Sequence, residues 1–155
     1  MSFRLRKACK SDLILIFNWA NEKSVIKNSI NRVGKLNIKD HENWYKKYQG
    51  SKLNFIYIFS KNKKDIGLVR LDLVKNFYFI SYLIDKKFRN KGLGYIMLKK
   101  FVNLFHKKKK IKNFYAKVKN KNISSIKIFE KLGFKRYYIS NIKRISYYKL
   151  IKNNV

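Results

Sequence analysis

Proline is absent from these 155 residues, and glycine occurs only six times. A chain so poor in both has no flexible linker to offer. No repeat or shift of composition divides it either, so residues 1–155 read as a single domain. There is one cysteine, Cys9. That excludes an intrachain disulfide and fits a reducing compartment, the cytoplasm. Cys9, His41 and His106 are not spaced as metal ligands, so no metal is expected. Long apolar runs are missing too. The run "LILIF" at Leu13–Phe17 is far short of the roughly 18 residues of a membrane span. It also starts too near Lys10 and Asp12 to form a signal-peptide core.

Acidic residues are scarce: eight, against 39 Lys and Arg, for a net charge of +31. Such an excess invites a polyanionic partner. Its makeup offers another origin. Only seven of the basic residues are Arg, and the chain is rich in Asn, Ile, Tyr and Phe, which with Lys are the residues of A- and T-rich codons. Basic residues are spread along the whole chain, with one dense run at Lys107–Lys110. No specific nucleic-acid partner is therefore expected, only loose adhesion to polyanions that salt removes. What is plentiful is apolar. Hydrophobic residues make up 46% and aromatic ones 16%, enough for a folded core at this length.

The pattern of apolar residues predicts the elements. "FRLRK" (Phe3–Lys7) alternates as a strand does. A helix follows with Ser11 as cap, Asp12 in the first turn, and Leu13, Ile16, Phe17 and Ala20 on one face. A short helix is expected over Glu22–Asn28. Another is expected between Asn37 as cap and Gly50 as stop, with Ile38, His41, Trp44, Tyr45 and Tyr48 recurring at three and four. Three strand-like runs come next, at Leu53–Ser60, Asp65–Leu73 and Phe77–Asp85. Short polar turns at Lys61–Lys64 and Lys75–Asn76 join them, which reads as an antiparallel meander. Then come a helix over Gly92–Lys107, a strand over Asn113–Val118, and a helix in "NISSIKIFEKLGF" with Ile126, Phe129 and Leu132 inward and Gly133 as its stop. Two strands, Phe134–Ser140 and Lys143–Ile151, close the chain. The order implies an α+β domain built on one main sheet.

The stretch "FRNKGLGYIMLKKF" (Phe88–Phe101) places Arg89, Asn90, Lys91, Gly92, Leu93 and Gly94 directly before a helical pattern. A flexible, basic turn at a helix start suits an anion, most often phosphate, because the first amides of a helix lack partners and its dipole favours negative charge. The same turn also serves as a plain connection, and the residues alone leave both readings open.

Two motifs, in this order and context, resemble those of the GNAT superfamily of acyl-CoA N-acyltransferases, and the resemblance extends over essentially the full chain. Arg89-Asn90-Lys91-Gly92-Leu93-Gly94 is similar to the family's pyrophosphate loop, Arg/Gln-x-x-Gly-x-Gly/Ala. Asn122 through Ser125 and Phe129 to Gly133-Phe134 is similar to its Asn-x-x-Ala/Ser-x-x-x-Tyr-x-x-x-Gly-Phe segment. The resemblance implies a mostly antiparallel mixed sheet flanked by helices, with two parallel, splayed central strands. It also implies acetyl-CoA as cosubstrate. The pyrophosphate would lie on the amides of Arg89–Gly94. The pantetheine arm would meet backbone near Tyr82 and Ile84, where an N–H stabilises the oxyanion. Asn122 is implied to bond the pantetheine, although a helix cap is an equal reading of it. Ser125 and Phe129 complete the cofactor side.

Phe129 departs from the family, which often has there a tyrosine that protonates the leaving thiolate. A thiolate leaving group has a pKa of about 8.5, so water or a hydroxyl of Tyr82, Ser81 or Ser124 can serve. For the base, His41, Glu42 and Asp72 are the candidates. The alternatives are that His41 packs beside Trp44 and Tyr45, and that Asp72 only pairs with Arg70 or a Lys. The first third resembles members that acetylate amino sugars carried on nucleotides, which implies that Asn21, Ser29, His41, Arg70 and Asp72 face the acceptor. It also resembles members acting on ribosomal-protein N-termini. The expectation is an N-acetyltransferase for a small primary amine, working as a monomer or homodimer. A peptide acetyltransferase and a non-catalytic module binding CoA or RNA are the alternatives.

Overall fold

A computed structural model describes residues 2–152. Seven strands form one sheet in the order β1-β2-β3-β4-β5-β7-β6. They are β1 (Phe3–Lys7), β2 (Phe55–Lys61), β3 (Lys64–Val74), β4 (Phe77–Ile84), β5 (Asn113–Lys119), β6 (Lys135–Ser140) and β7 (Ile145–Ile151). Five helices accompany them: α1 (Leu13–Ala20), α2 (Lys23–Asn28), α3 (Ile38–Gln49), α4 (Leu93–Lys109) and α5 (Ile123–Lys131). Every strand pair is antiparallel except β4–β5. This is the α+β sheet that the sequence predicts.

Local chemistry accounts for the meander. Asn62 and Lys63, then Lys75 and Asn76, all have positive φ. The residue pairs Lys61–Lys64 and Val74–Phe77 close the two hairpins around them. Two-residue turns of that left-handed kind match the right-handed twist of the strands they join. In α3, Asn37 is the cap and accepts from the Asp40 amide at 2.9 Å, and Gly50 ends the helix, both as expected. The start of the first helix differs from expectation. Ser11 is not the cap. A 3-10 turn over Lys10–Asp12 intervenes, Asp12 is the cap residue of α1, and its carboxylate accepts from the Cys9 amide at 2.8 Å. The inward face also shifts, to Ile16 and Trp19. Trp19 is drawn in because its indole N–H donates to Asp85 at 2.9 Å.

The sheet has a core on each face. On one side α4 and α5 bury Met97, Leu98, Phe101 and Phe105 against Val69, Leu71, Ile80, Phe114 and Ala116. On the other side α1 and α3 bury Ile16, Trp19 and Tyr45 against Ile56, Ile58 and Leu68. Each such large side chain contributes about 1.5–3 kcal/mol by leaving water. The second core reaches only β2 and β3, with Leu83 of β4 at its margin.

The parallel pair positions everything that follows. β4 and β5 pair only at Tyr78–Phe114 and Phe79–Tyr115, near the start of each strand. Beyond those residues the two strands part, leaving a gap in the middle of the sheet.

Candidate active site

At the open end of the gap, β4 runs through a short turn (Lys86–Phe88) into residues 89–94 and then α4. Asn90 (φ 59°) and Gly92 (φ 69°) are both left-handed. Alternation of this kind turns successive amides toward one side, as in an anion-binding nest. Gly92 is the cap residue of α4, and no side chain caps the helix. The first amides of the helix therefore need an outside acceptor. A side chain added at Gly92 would meet nothing within 4 Å, so the loop faces open space. Gly94 is different. A Cβ there would sit 3.1 Å from Ile128 and 3.2 Å from the Tyr82 ring, so this glycine lets α4 press against β4 and α5. Leu93 is buried and anchors the helix start. The loop thus offers what a pyrophosphate requires: free amides, positive potential and no obstructing side chain.

Arg89, the first loop residue, points its side chain away from that space. Its Nε donates to the Ile84 carbonyl at 2.7 Å, and its two terminal nitrogens donate to Ser24 Oγ and Glu22 Oε2, each at 2.6 Å. It ties the loop to α2, while Lys119 at the end of β5 donates to the Lys27 carbonyl of the same helix at 2.8 Å. Helix α2 is held from both strands that border the gap. Lys91 is exposed, with its ammonium 5.8 Å from the Phe88 ring.

On the α4 side of the gap, the Tyr82 and Ser125 hydroxyls are 3.0 Å apart. Burial pushes the Tyr82 phenol above its ordinary value, against the Ser125 contact, so it stays protonated. Its ring meets Phe129 edge-on, with centroids 5.8 Å apart, and Phe129 is buried against Phe134 and Tyr148. Asn122 caps α5, its side chain accepting from the Ser125 amide at 3.3 Å and from Ser124 Oγ at 3.1 Å. Ile84 ends β4, and its carbonyl is the one that Arg89 holds.

The opposite side is built from side chains. In the β3–β4 register Val69 faces Tyr82 and Arg70 faces Ser81, so alternation puts Arg70, Asp72, Phe79 and Ser81 on the face away from Tyr82. Asp72 accepts from the Tyr48 hydroxyl and lies 2.8 Å from Arg70 Nε, an ion pair whose N–H is poorly aimed for a hydrogen bond. The Arg70 guanidinium also lies 5.7 Å from the Trp44 ring and 6.0 Å from that of Tyr48. Burial, with the Asp72 carboxylate adding, holds the Tyr48 phenol well above its ordinary value.

His41 and Asn21 stand elsewhere. His41 is 1% exposed, stacked on Tyr45 and tilted against Phe17 and Trp44, and one ring nitrogen meets the Leu13 carbonyl at 3.0 Å. This is the arrangement of the packing alternative, with the ring buried beside Trp44 and Tyr45. Both ends of the Asn21 carboxamide are engaged. Its oxygen accepts from the Leu36 amide at 2.7 Å, and its NH₂ donates to the Leu36 carbonyl at 3.2 Å. Ser29 is the last cap residue of α2. The roles of Tyr48 and Ser24 are missing from the sequence reading because their partners lie 24 and 65 residues away in the chain.

Solved structures share this architecture. A domain from Methanocaldococcus jannaschii superposes with a TM-score of 0.83 at 22% identity, covering 97% of this chain and 98% of its own. Spermidine N-acetyltransferase from Vibrio cholerae, solved with CoA and spermine, gives 0.83 at 16% identity over 97% and 95%. The aminoglycoside acetyltransferase AAC(6')-Ib with coenzyme A gives 0.81 at 18% over 97% and 95%. No curated protein matches the sequence. The sequence profile of the acetyltransferase (GNAT) domain does, over residues 2–135, the span that holds the loop, the gap and both of its sides. Profile and fold agree with the anion-ready loop, and this chain belongs to the GNAT acetyltransferases, acyltransferases that use acetyl-CoA as cosubstrate.

Proposed function

We propose that the chain, working as one domain in the cytoplasm, acetylates the primary amine of a small anionic acceptor, with a nucleotide-linked amino sugar as the class. The observation that carries this is the state of the carboxylates. Asp12 and Asp65 pair with Arg6, Glu22 with Arg89 and Asp72 with Arg70. A carboxylate beside two aromatic rings is what a polyamine or a cationic peptide terminus needs. In this chain Arg70 already fills that place. With +31 overall, the acceptor side attracts anions and repels polycations.

Acetyl-CoA supplies the acetyl group as a thioester: the amine nitrogen forms a bond to the carbonyl carbon, the carbon–sulfur bond breaks, and one proton leaves the nitrogen. The chain's own groups divide the remaining work by side. The amides of residues 89–94 bind the pyrophosphate. Asn122 and the main chain near Ile84 orient the arm. Asp72, with Arg70 kept in place and the Tyr48 hydroxyl turned aside, takes the amine proton from one side of the sheet. Tyr82, kept protonated by burial and steadied by Ser125, donates to the leaving sulfur from the other. Ser29, Asn21 and His41 support the acceptor side through the position of α2 and α3.

An acceptor panel tests the reading. Thiol release from acetyl-CoA is measured with UDP- and dTDP-linked amino sugars, with spermidine, and with ribosomal N-terminal peptides. Turnover is expected on a nucleotide-linked amine. Turnover on spermidine or peptides, with none on any nucleotide-linked amine, would overturn the acceptor class and leave the family membership intact.

A further inference from the structure

Beyond β3 the outer face of the sheet loses its helical cover, and aromatic side chains are left there unpacked. Phe77 is 47% exposed and Tyr137 55%, yet both border Tyr115, which is only 8% exposed. Three rings surround Tyr115: Phe77 at 5.0 Å and 78°, Phe79 at 5.7 Å and 43°, and Tyr137 at 6.2 Å and 84°. With Lys149 they line an open bowl of about 420 Å³. Two ammonium groups rim it. Lys149 Nζ lies 5.5 Å from the Tyr115 centroid, and Lys117 Nζ lies 4.5 Å from that of Phe79. Among the described residues no carboxylate lines the bowl. The acidic group that the register brings nearest is Asp72, opposite Phe79, and it is already paired with Arg70.

Location adds to composition. Phe79 and Tyr115 are the last residues at which β4 and β5 pair. The bowl therefore ends where the gap begins, on the face that carries Asp72. A ligand seated there would point its far end into the gap.

We infer that this bowl is a subsite for a nucleoside diphosphate, with the base against Tyr115 inside the ring of Phe77, Phe79 and Tyr137, and the diphosphate on Lys117 and Lys149. This deepens the reading of a nucleotide-linked acceptor and rests on it. Flat apolar walls suit a base, since stacking is tolerant of base identity. Ammonium groups that rest on ring faces suit phosphate, which offers each a stronger, charge-assisted partner than the ring does. A second copy of the chain is a poorer occupant, because an isologous contact would set these lysines against their own copies.

The test is a titration of the intact chain with UDP and dTDP, by calorimetry and ligand-observed NMR, at about 0.15 M salt. CoA is held at saturation so that the glycine loop cannot take the phosphates. Binding of at least one diphosphate is expected. Phe77→Ala and Tyr137→Ala, both at exposed positions, should each weaken it by roughly tenfold, the scale of one lost stacking contact. Lys117→Ala with Lys149→Ala should weaken it further, and none of these changes should alter CoA affinity. Absence of binding would overturn the inference. So would inorganic pyrophosphate binding as tightly as UDP and indifferent to the ring substitutions, since charge alone would then explain it. Tighter binding of an oligo(U) strand at the same salt, lost in the same variants, would overturn it in favour of a nucleic-acid platform. Self-association abolished by Tyr137→Ala would replace it with an interface between copies. No step of this titration involves acetyl transfer. UDP binding without turnover on nucleotide-linked amines would therefore keep the subsite and sink the proposed acceptor, and the reverse result would do the opposite.

Discussion

On the α4 side of the gap the polar groups are mostly main-chain amides, those of residues 89–94, joined by the hydroxyls of Tyr82 and Ser125. On the other side they are charged and aromatic side chains, Tyr48, Arg70, Asp72 and Lys117, set on a face with half a helical cover. The two sides therefore tolerate substitution differently. An amide survives almost any substitution that keeps φ and ψ, so the loop side depends on two glycines and a helix start. The other side depends on which side chains the register brings together, and a few substitutions are enough to alter its chemistry.

Asp72→Asn should break that contrast most sharply. If Asp72 takes the amine proton, kcat falls by about 100-fold or more, the usual range for a lost general base. Acetyl-CoA affinity should stay within about twofold, because the loop lies on the other side. Stopped-flow thiol release and calorimetry read the two quantities separately. Unchanged kcat would remove Asp72 from the chemistry.

Gly92→Asp addresses the loop itself. A carboxylate placed where phosphate must approach, at φ 69°, should weaken acetyl-CoA binding by roughly 50-fold while leaving circular dichroism unchanged. Gly92→Ala should cost less, since its methyl group has open space and only the backbone conformation is strained. Equal losses in the two variants would show that conformation, not charge, controls the loop.

Tyr82→Phe removes one hydroxyl from the buried pair and keeps the ring that packs on Phe129 and Gly94. A fall in kcat of about tenfold is expected, with stability little altered, because a neutral hydrogen bond contributes about 1 kcal/mol. A smaller effect from Ser125→Ala would fit a positioning role. No change in either would leave water as the proton donor.

His41→Gln should have the smallest effect on turnover, because the ring is walled in. Its signature is in stability against pH. Burial first, then the charge of Arg32, holds the folded imidazole below its ordinary value of 6.5, against the Leu13 carbonyl and Glu42. Above pH 6.5 both folded and unfolded chains carry it neutral, and the full contribution is present. As pH falls below 6.5 the unfolded chain takes the proton first, so stability declines until the folded pKa is passed. The variant should flatten that part of the melting-temperature profile. The Asp12 carboxylate, pushed up by burial but held below its ordinary 3.8 by Arg6 and the Cys9 amide, acts only in stronger acid and does not blur the result.

Residues that act through short-range pattern were legible. The meander, its two-residue turns, the Asn37 and Gly50 ends of α3 and the glycine loop before α4 all arise from spacings of a few residues. The start of α1 was not, because Ser11 and Asp12 are both good cap residues, and the bonds that Asp12 makes to the Cys9 amide and to Arg6 at the end of β1 choose between them. Arg89 shows the same limit inside the motif. Its place in the chain marks the loop, but its partners Glu22 and Ser24 are more than 60 residues away.

Neighbouring residues are enough to fix the alternation of elements, the glycine turn before α4 and the sign of the charge, because period, glycine placement and composition are local properties. Long-range packing is what sets Asp72 and Tyr82 on opposite faces, encloses His41, and brings Phe77, Phe79, Tyr115 and Tyr137 into one bowl. Those outcomes depend on strand register and on where helical cover stops. A shift of one residue in pairing would exchange every face, and that choice is made by the packing of the whole sheet.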